Sequence, residues 1–121
     1  MLKTLKYKLL FSFLALIFLN TAAFSQGITD PHFDAIKHAD ERTGWMKVTL
    51  RLDSVQEKAV SQINREIYSR IKEVVNKYPT GAKMLYSNLK NLEDERDERF
   101  EEVLPPGKME KYKEEKARHP R

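Results

Sequence analysis

Between scattered glycines and prolines, the apolar positions of this chain recur every three or four residues, the spacing of one helical face. No stretch alternates with the period of two that a strand requires. The first helix is predicted to open at Asp30-Pro31, a capping acid followed by proline at the first helical position. Phe33, Ile36, Ala39, Thr43 and Met46 then share a face with Trp45 beside it, and Gly44 permits a bend. The second helix has the clearest start. Asp53 and Gln56 stand three apart, the spacing of a capping box in which each side chain satisfies the other's backbone amide. Leu52 precedes them, and the stripe Val55, Ala59, Ile63, Ile67, Ile71, Val74 and Tyr78, widened by Val60 and Val75, runs on to Pro79. The third helix spans about Ala82 to Val103 or Leu104, with the stripe Leu85, Leu89, Leu92, Phe100 and Val103 interrupted where Arg96 falls. Thr80-Gly81 is too short a turn for anything but an antiparallel pair. After Pro105-Pro106-Gly107, a weaker helix from Lys108 to about Arg118 carries Met109 and Tyr112. The expected fold is all-α: a long antiparallel helical hairpin with shorter N- and C-terminal helices.

Residues 1–25 break the pattern and read as a signal peptide. Lys3, Lys6 and Lys8 form a positive start, and Leu9 to Leu19 is an uncharged apolar run of eleven residues. The small-residue stretch ending at Ser25 offers a cleavage site with Ala23 at −3. A retained anchor is the alternative, but a spanning helix needs about 20 apolar residues. Residues 26–121 then form one domain, exported to the periplasm and not embedded in the membrane after cleavage. The chain has no cysteine, which excludes both a lipid-modified cysteine and a disulfide framework.

Cleavage also changes the charge. The whole chain carries 22 basic and 18 acidic residues, and without the three leader lysines the balance falls to +1. The basic character therefore belongs partly to the leader, and nucleic acid is not an expected partner.

Little in the sequence suggests catalysis, and none is expected. His32 and His38 are six apart, and no serine or threonine is paired with a histidine as a nucleophile would be. Asp34, His38 and Glu41 form at most a weak candidate metal site, against the plainer reading of a solvated face. Seven acids crowd Glu93–Glu102 near a helix C-terminus, where negative charge is unfavourable. The basic residues Lys108, Lys111, Lys113, Lys116 and Arg118 are expected to offset them as an electrostatic clasp, from the same chain or a second subunit.

The segment Leu52-Asp53-Ser54-Val55-Gln56 resembles the Leu-Thr-x-x-Gln element that opens a long helix in the LTxxQ periplasmic proteins, the Spy/CpxP-like group. Aspartate replaces threonine, and both are good caps. Leu104-Pro105-Pro106-Gly107-Lys108 resembles the second copy in degenerate form, retaining only Leu104 and Pro106. Pro105 offers no capping oxygen, and Lys108 stands where glutamine would complete the box, so the last helix should be weakly anchored. The likeness spans roughly residues 33–116. It implies a four-helix, dimeric, cradle-shaped envelope protein without cofactor that binds partly unfolded or envelope proteins without nucleotide. It also implies two alternatives: a regulator docking on a membrane sensor kinase, or a metal-binding protein of heavy-metal resistance. The client-binding face it implies draws on Phe33, Trp45, Met46, Ile67, Tyr68, Met84 and Tyr86 for apolar contact. Arg51, Lys58, Arg65, Arg70 and Lys72 would flank it with positive charge.

Overall fold

The computed structural model describes residues 32–118, and the signal-peptide reading at 1–25 lies outside them. Four helices account for nearly all of these residues, with no strand among them: α1 Ala35–Leu50, α2 Ser54–Lys77, α3 Lys83–Val103 and α4 Pro106–Arg118. The all-α expectation holds. No helix among the described residues is long and apolar enough to cross a membrane.

α1 begins later than Asp30-Pro31. Its cap is Asp34, whose carboxylate accepts from the Lys37 amide at 3.1 Å, so Phe33 lies outside the helix. Phe33 nevertheless folds back, its ring meeting His38 edge-on at 5.5 Å. This joins the residue before the cap to the fourth helical position, the arrangement of a hydrophobic staple. α1 ends at Arg51, which takes the left-handed conformation (φ 51°) that glycine adopts more cheaply. Two residues on, the α2 capping box forms as the spacing predicts. Asp53 Oδ1 accepts from the Gln56 amide at 2.8 Å, and Gln56 Oε1 accepts from the Asp53 amide at 3.2 Å. Asp53→Ala is expected to lower stability by about 1 kcal/mol in urea unfolding.

α2 lies between two neighbours. Against α1, Arg65 pairs with Asp40 and Glu57 with Lys47. Against α3, Glu66 pairs with Arg99 and Arg70 with Glu95. In both sets the numbers rise on α2 as they fall on the other helix. Flanked on two sides, α2 buries a wider arc than one stripe: Val60, Ile63, Asn64, Ile67, Tyr68, Ile71 and Val75. Val55 in its first turn stays 77% exposed, and Ile36 on α1 is 46% exposed, so neither belongs to the core as expected.

Two polar features enter that core unannounced. Asn64 is fully buried; its amide donates to Thr43 Oγ1 at 3.0 Å, and Thr43 in turn donates to the Ala39 carbonyl. Arg96 does not interrupt the α3 stripe but continues it, buried in line with Leu85, Leu92 and Phe100.

Candidate functional site

The densest chemistry lies where α4 meets α1 and α3. Tyr112, fully buried, accepts from Arg42 Nη2 at 3.0 Å and donates to Asp97 Oδ1 at 2.8 Å. Its ring stands edge-on to Phe100 at 5.2 Å and to Trp45 at 6.5 Å. The Arg42 guanidinium lies over both the Trp45 and Tyr112 rings, 5.4 and 5.8 Å from their centroids. One turn along α4, Lys116 donates to Asp97 Oδ2 at 2.5 Å and pairs with Glu93 at 2.8 Å. Arg96 completes the cluster 3.5 Å from Asp97 and 3.8 Å from Glu93, too far for its buried Nε and Nη2 to hydrogen-bond.

The charges shift one another. Burial pushes the Asp97 carboxyl up, but the bonds from Lys116 and Tyr112 and the charge of Arg96 outweigh it and hold it below the usual carboxylate range. Burial raises the Tyr112 phenol, and the nearby Arg96 and Arg42 only partly reverse this. For Lys116, burial works downward, and its bonds to Asp97 and Glu93 prevail and raise it. The signs give a pH profile. Stability from Asp97 is full above its unfolded pKa of about 3.9 and is lost as pH falls through its lower folded value. Stability from Tyr112 and Lys116 is full below about pH 10 and is lost as pH rises through their higher folded values. Thermal midpoints followed by circular dichroism should therefore fall at both extremes, and Tyr112→Phe should flatten the alkaline limb.

The clasp between the acidic run and α4 is thus made within the chain, by Lys116 and by Lys113 with Glu101 at 2.9 Å. Arg118 turns instead to Glu115 of its own helix. Lys108 does something else: its ammonium donates to Gln56 Oε1 at 2.7 Å and to the Arg51 carbonyl at 2.9 Å. Lys108 thereby docks on the glutamine of the α2 capping box. Leu104 is buried, and exposed Pro106 opens α4 two residues before Lys108, where its missing amide costs nothing.

The other candidate residues scatter. Phe33, Met46, Ile67 and Tyr68 are buried, which corrects their assignment to an open face. The physical reason is the position of α2 between two helices: the arc that would be concave in a bare hairpin is covered by α1. Trp45 is half-buried, Arg51, Lys58 and Lys72 are exposed, and Met84 and Tyr86 are about half exposed in the first turn of α3. Arg65 forms a two-pronged pair with Asp40, and Arg70 pairs with Glu95. Lys58 and Arg65 line a groove of about 700 Å³ between α1 and α2, together with the carboxylates of Asp40, Glu57 and Glu66. Arg70 lines a second, of about 350 Å³, between α2 and α3.

Asp34, His38 and Glu41 do not assemble a metal site. Asp34 caps α1, His38 stacks on Tyr68 at 6.2 Å, and no three metal-ligating side chains converge among the described residues. The Arg42–Tyr112–Asp97–Arg96 cluster escaped the sequence. Its one trace there was a charged residue at an apolar position, Arg96.

No protein-family model, curated protein or solved structure matches this chain.

Proposed function

We propose that the chain is an exported, nucleotide-independent binding protein of the bacterial envelope, of the LTxxQ type, that holds partly unfolded proteins. In this reading residues 1–25 are removed on export, α2 and α3 form the long hairpin of a cradle, and two copies pair. The observation that carries the proposal is the Lys108–Gln56 contact. Two short segments chosen only for their likeness to a paired motif have no reason to touch; in a fold organised around that pair they would. The surface offers suitable binding chemistry. Val48 and Val55, at the last turn of α1 and the first of α2, are each more than three-quarters exposed. Exposed Arg51 and Lys58 follow closely in sequence, and basic residues line both grooves flanking α2. Apolar contact would hold an unfolded chain, and exposed positive charge would attract it over roughly 10 Å at moderate salt.

The test is light scattering of a chemically unfolded client diluted with and without equimolar protein (residues 26–121), without ATP. Suppressed aggregation at near-stoichiometric ratio, weakened by salt, is the expected result. No effect at several-fold excess, from protein that circular dichroism finds helical, overturns the proposal and redirects the search to a single folded partner.

A further inference from the structure

α4 is fastened mainly by polar groups. Of its residues only Met109 and Tyr112 are buried; the rest of its hold is the ion pairs and hydrogen bonds of Lys108, Tyr112, Lys113 and Lys116. α1, α2 and α3, by contrast, share an aliphatic core. The link to α4 is also weak. Leu104 is extended (φ −110°, ψ 140°), its amide closing α3 on the Phe100 carbonyl, and the first bond of α4 runs from Met109 to Pro105. Pro105 has no amide with which to continue the α3 ladder. A segment with few apolar contacts, polar fastenings and a two-residue hinge belongs to the least stable part of a fold.

What α4 covers is specific. Its seat holds the Phe100 ring, the half-buried Trp45 with the Arg42 guanidinium over its ring, and the carboxylates of Asp97 and Glu93 one turn away. Tyr112 fills the aromatic part and Lys116 the acidic part. These residues are four apart, so one helix face presents both. We infer that α4 is a hinged, self-occupying strap that opens as a unit while α1–α3 stay folded. The seat it uncovers is the surface on which an amphipathic partner segment docks, one with an aromatic residue at position i and a lysine or arginine at i+4. The inference rests on the binding reading above and deepens it: α4 competes with clients for the seat, so the closed form is the restrained one.

Two measurements on the purified protein test this. Hydrogen exchange should find the α4 amides opening faster than those of α2. Tyr112→Phe or Lys116→Gln should speed α4 by about tenfold, and α2 by no more than the same factor because its opening includes that of α4, as loss of one or two partly buried bonds implies. Asp40→Asn, which breaks a surface pair on α1, is the control and should leave α4 unchanged. For the docking step the probe is a synthetic peptide of residues 106–118. Trp45, the only tryptophan in the chain, borders the seat and reports its occupancy by fluorescence. The peptide should give a saturable change with Lys116→Gln protein at a concentration several-fold lower than with wild type, and a peptide with alanine for the tyrosine should not. Exchange of α4 and α2 at one common rate overturns the strap, and equal binding of the two peptides overturns the seat. If the strap opens and the peptide binds, client assays separate the two proposals. Stronger suppression by Lys116→Gln than by wild type supports both. Suppression unchanged by the variant overturns the restraint, and no suppression by either protein overturns the chaperone reading while the strap stands.

Discussion

Asp97→Ala is expected to cost about 3 kcal/mol of unfolding free energy, read from urea denaturation followed at Trp45 and by circular dichroism. The carboxylate is the common partner of three groups: it accepts from Tyr112 and Lys116 and lies beside Arg96. Removing it leaves a buried guanidinium with only the more distant Glu93, and a buried phenol without its acceptor. Arg96→Met should behave differently, costing less than about 1 kcal/mol, because the Arg96 Nε and Nη2 make no hydrogen bonds and an apolar side chain of similar length suits the α3 stripe. The contrast is the point of the experiment. A cluster held together by Arg96 would give the opposite ranking of the two variants.

The second large effect is at Phe100. It is fully buried on α3 and supports the Tyr112 ring edge-on, so it serves both the core and the seat of α4. Phe100→Ala should cost about 3–5 kcal/mol, combining lost transfer energy with a cavity that the surrounding helices only partly close. Against a total of about 5–15 kcal/mol for a domain, that removes from a fifth of the stability to all of it. Phe100→Leu, which keeps most of the volume, should cost distinctly less and retain a cooperative thermal transition.

The two stretches of the fold that sequence reading recovered best are those whose signals are local. The Asp53–Gln56 box depends on residues three apart and forms as its spacing requires, and Pro79 and Pro105 each follow directly on the cap that ends a helix. The start of α1 falls four residues after Asp30, because the local Asp30-Pro31 signal does not decide where capping occurs and Asp34 provides the cap. What favours Asp34 is the return of Phe33 onto His38, visible only once the chain is folded. The burial of Met46, Ile67 and Tyr68 is illegible in the sequence for a related reason. Helical spacing identifies the apolar stripe of a helix, but not how many neighbours it has, so it cannot tell that Ile67 and Tyr68 on α2 and Met46 on α1 are covered. The α4 seat was the least legible. It draws Arg42, Arg96, Asp97 and Tyr112 from three helices, and no periodicity within one helix can bring them together.

The bond between Arg42 and Tyr112 closes a separation of 70 residues, whereas α1 meets α2 and α2 meets α3 across short links. Contacts between sequence neighbours form early, and long closures wait until their entropy cost can be met. The topology therefore predicts a birth order, in which the first three helices zip before the fourth arrives onto a surface already made. A nascent or truncated chain ending before Pro106 would pass through life with Trp45 and Phe100 bared, the state most prone to stick to its own kind. The turns of α4 would thus act as the domain's own first companion, shielding Trp45 and Phe100 once they dock.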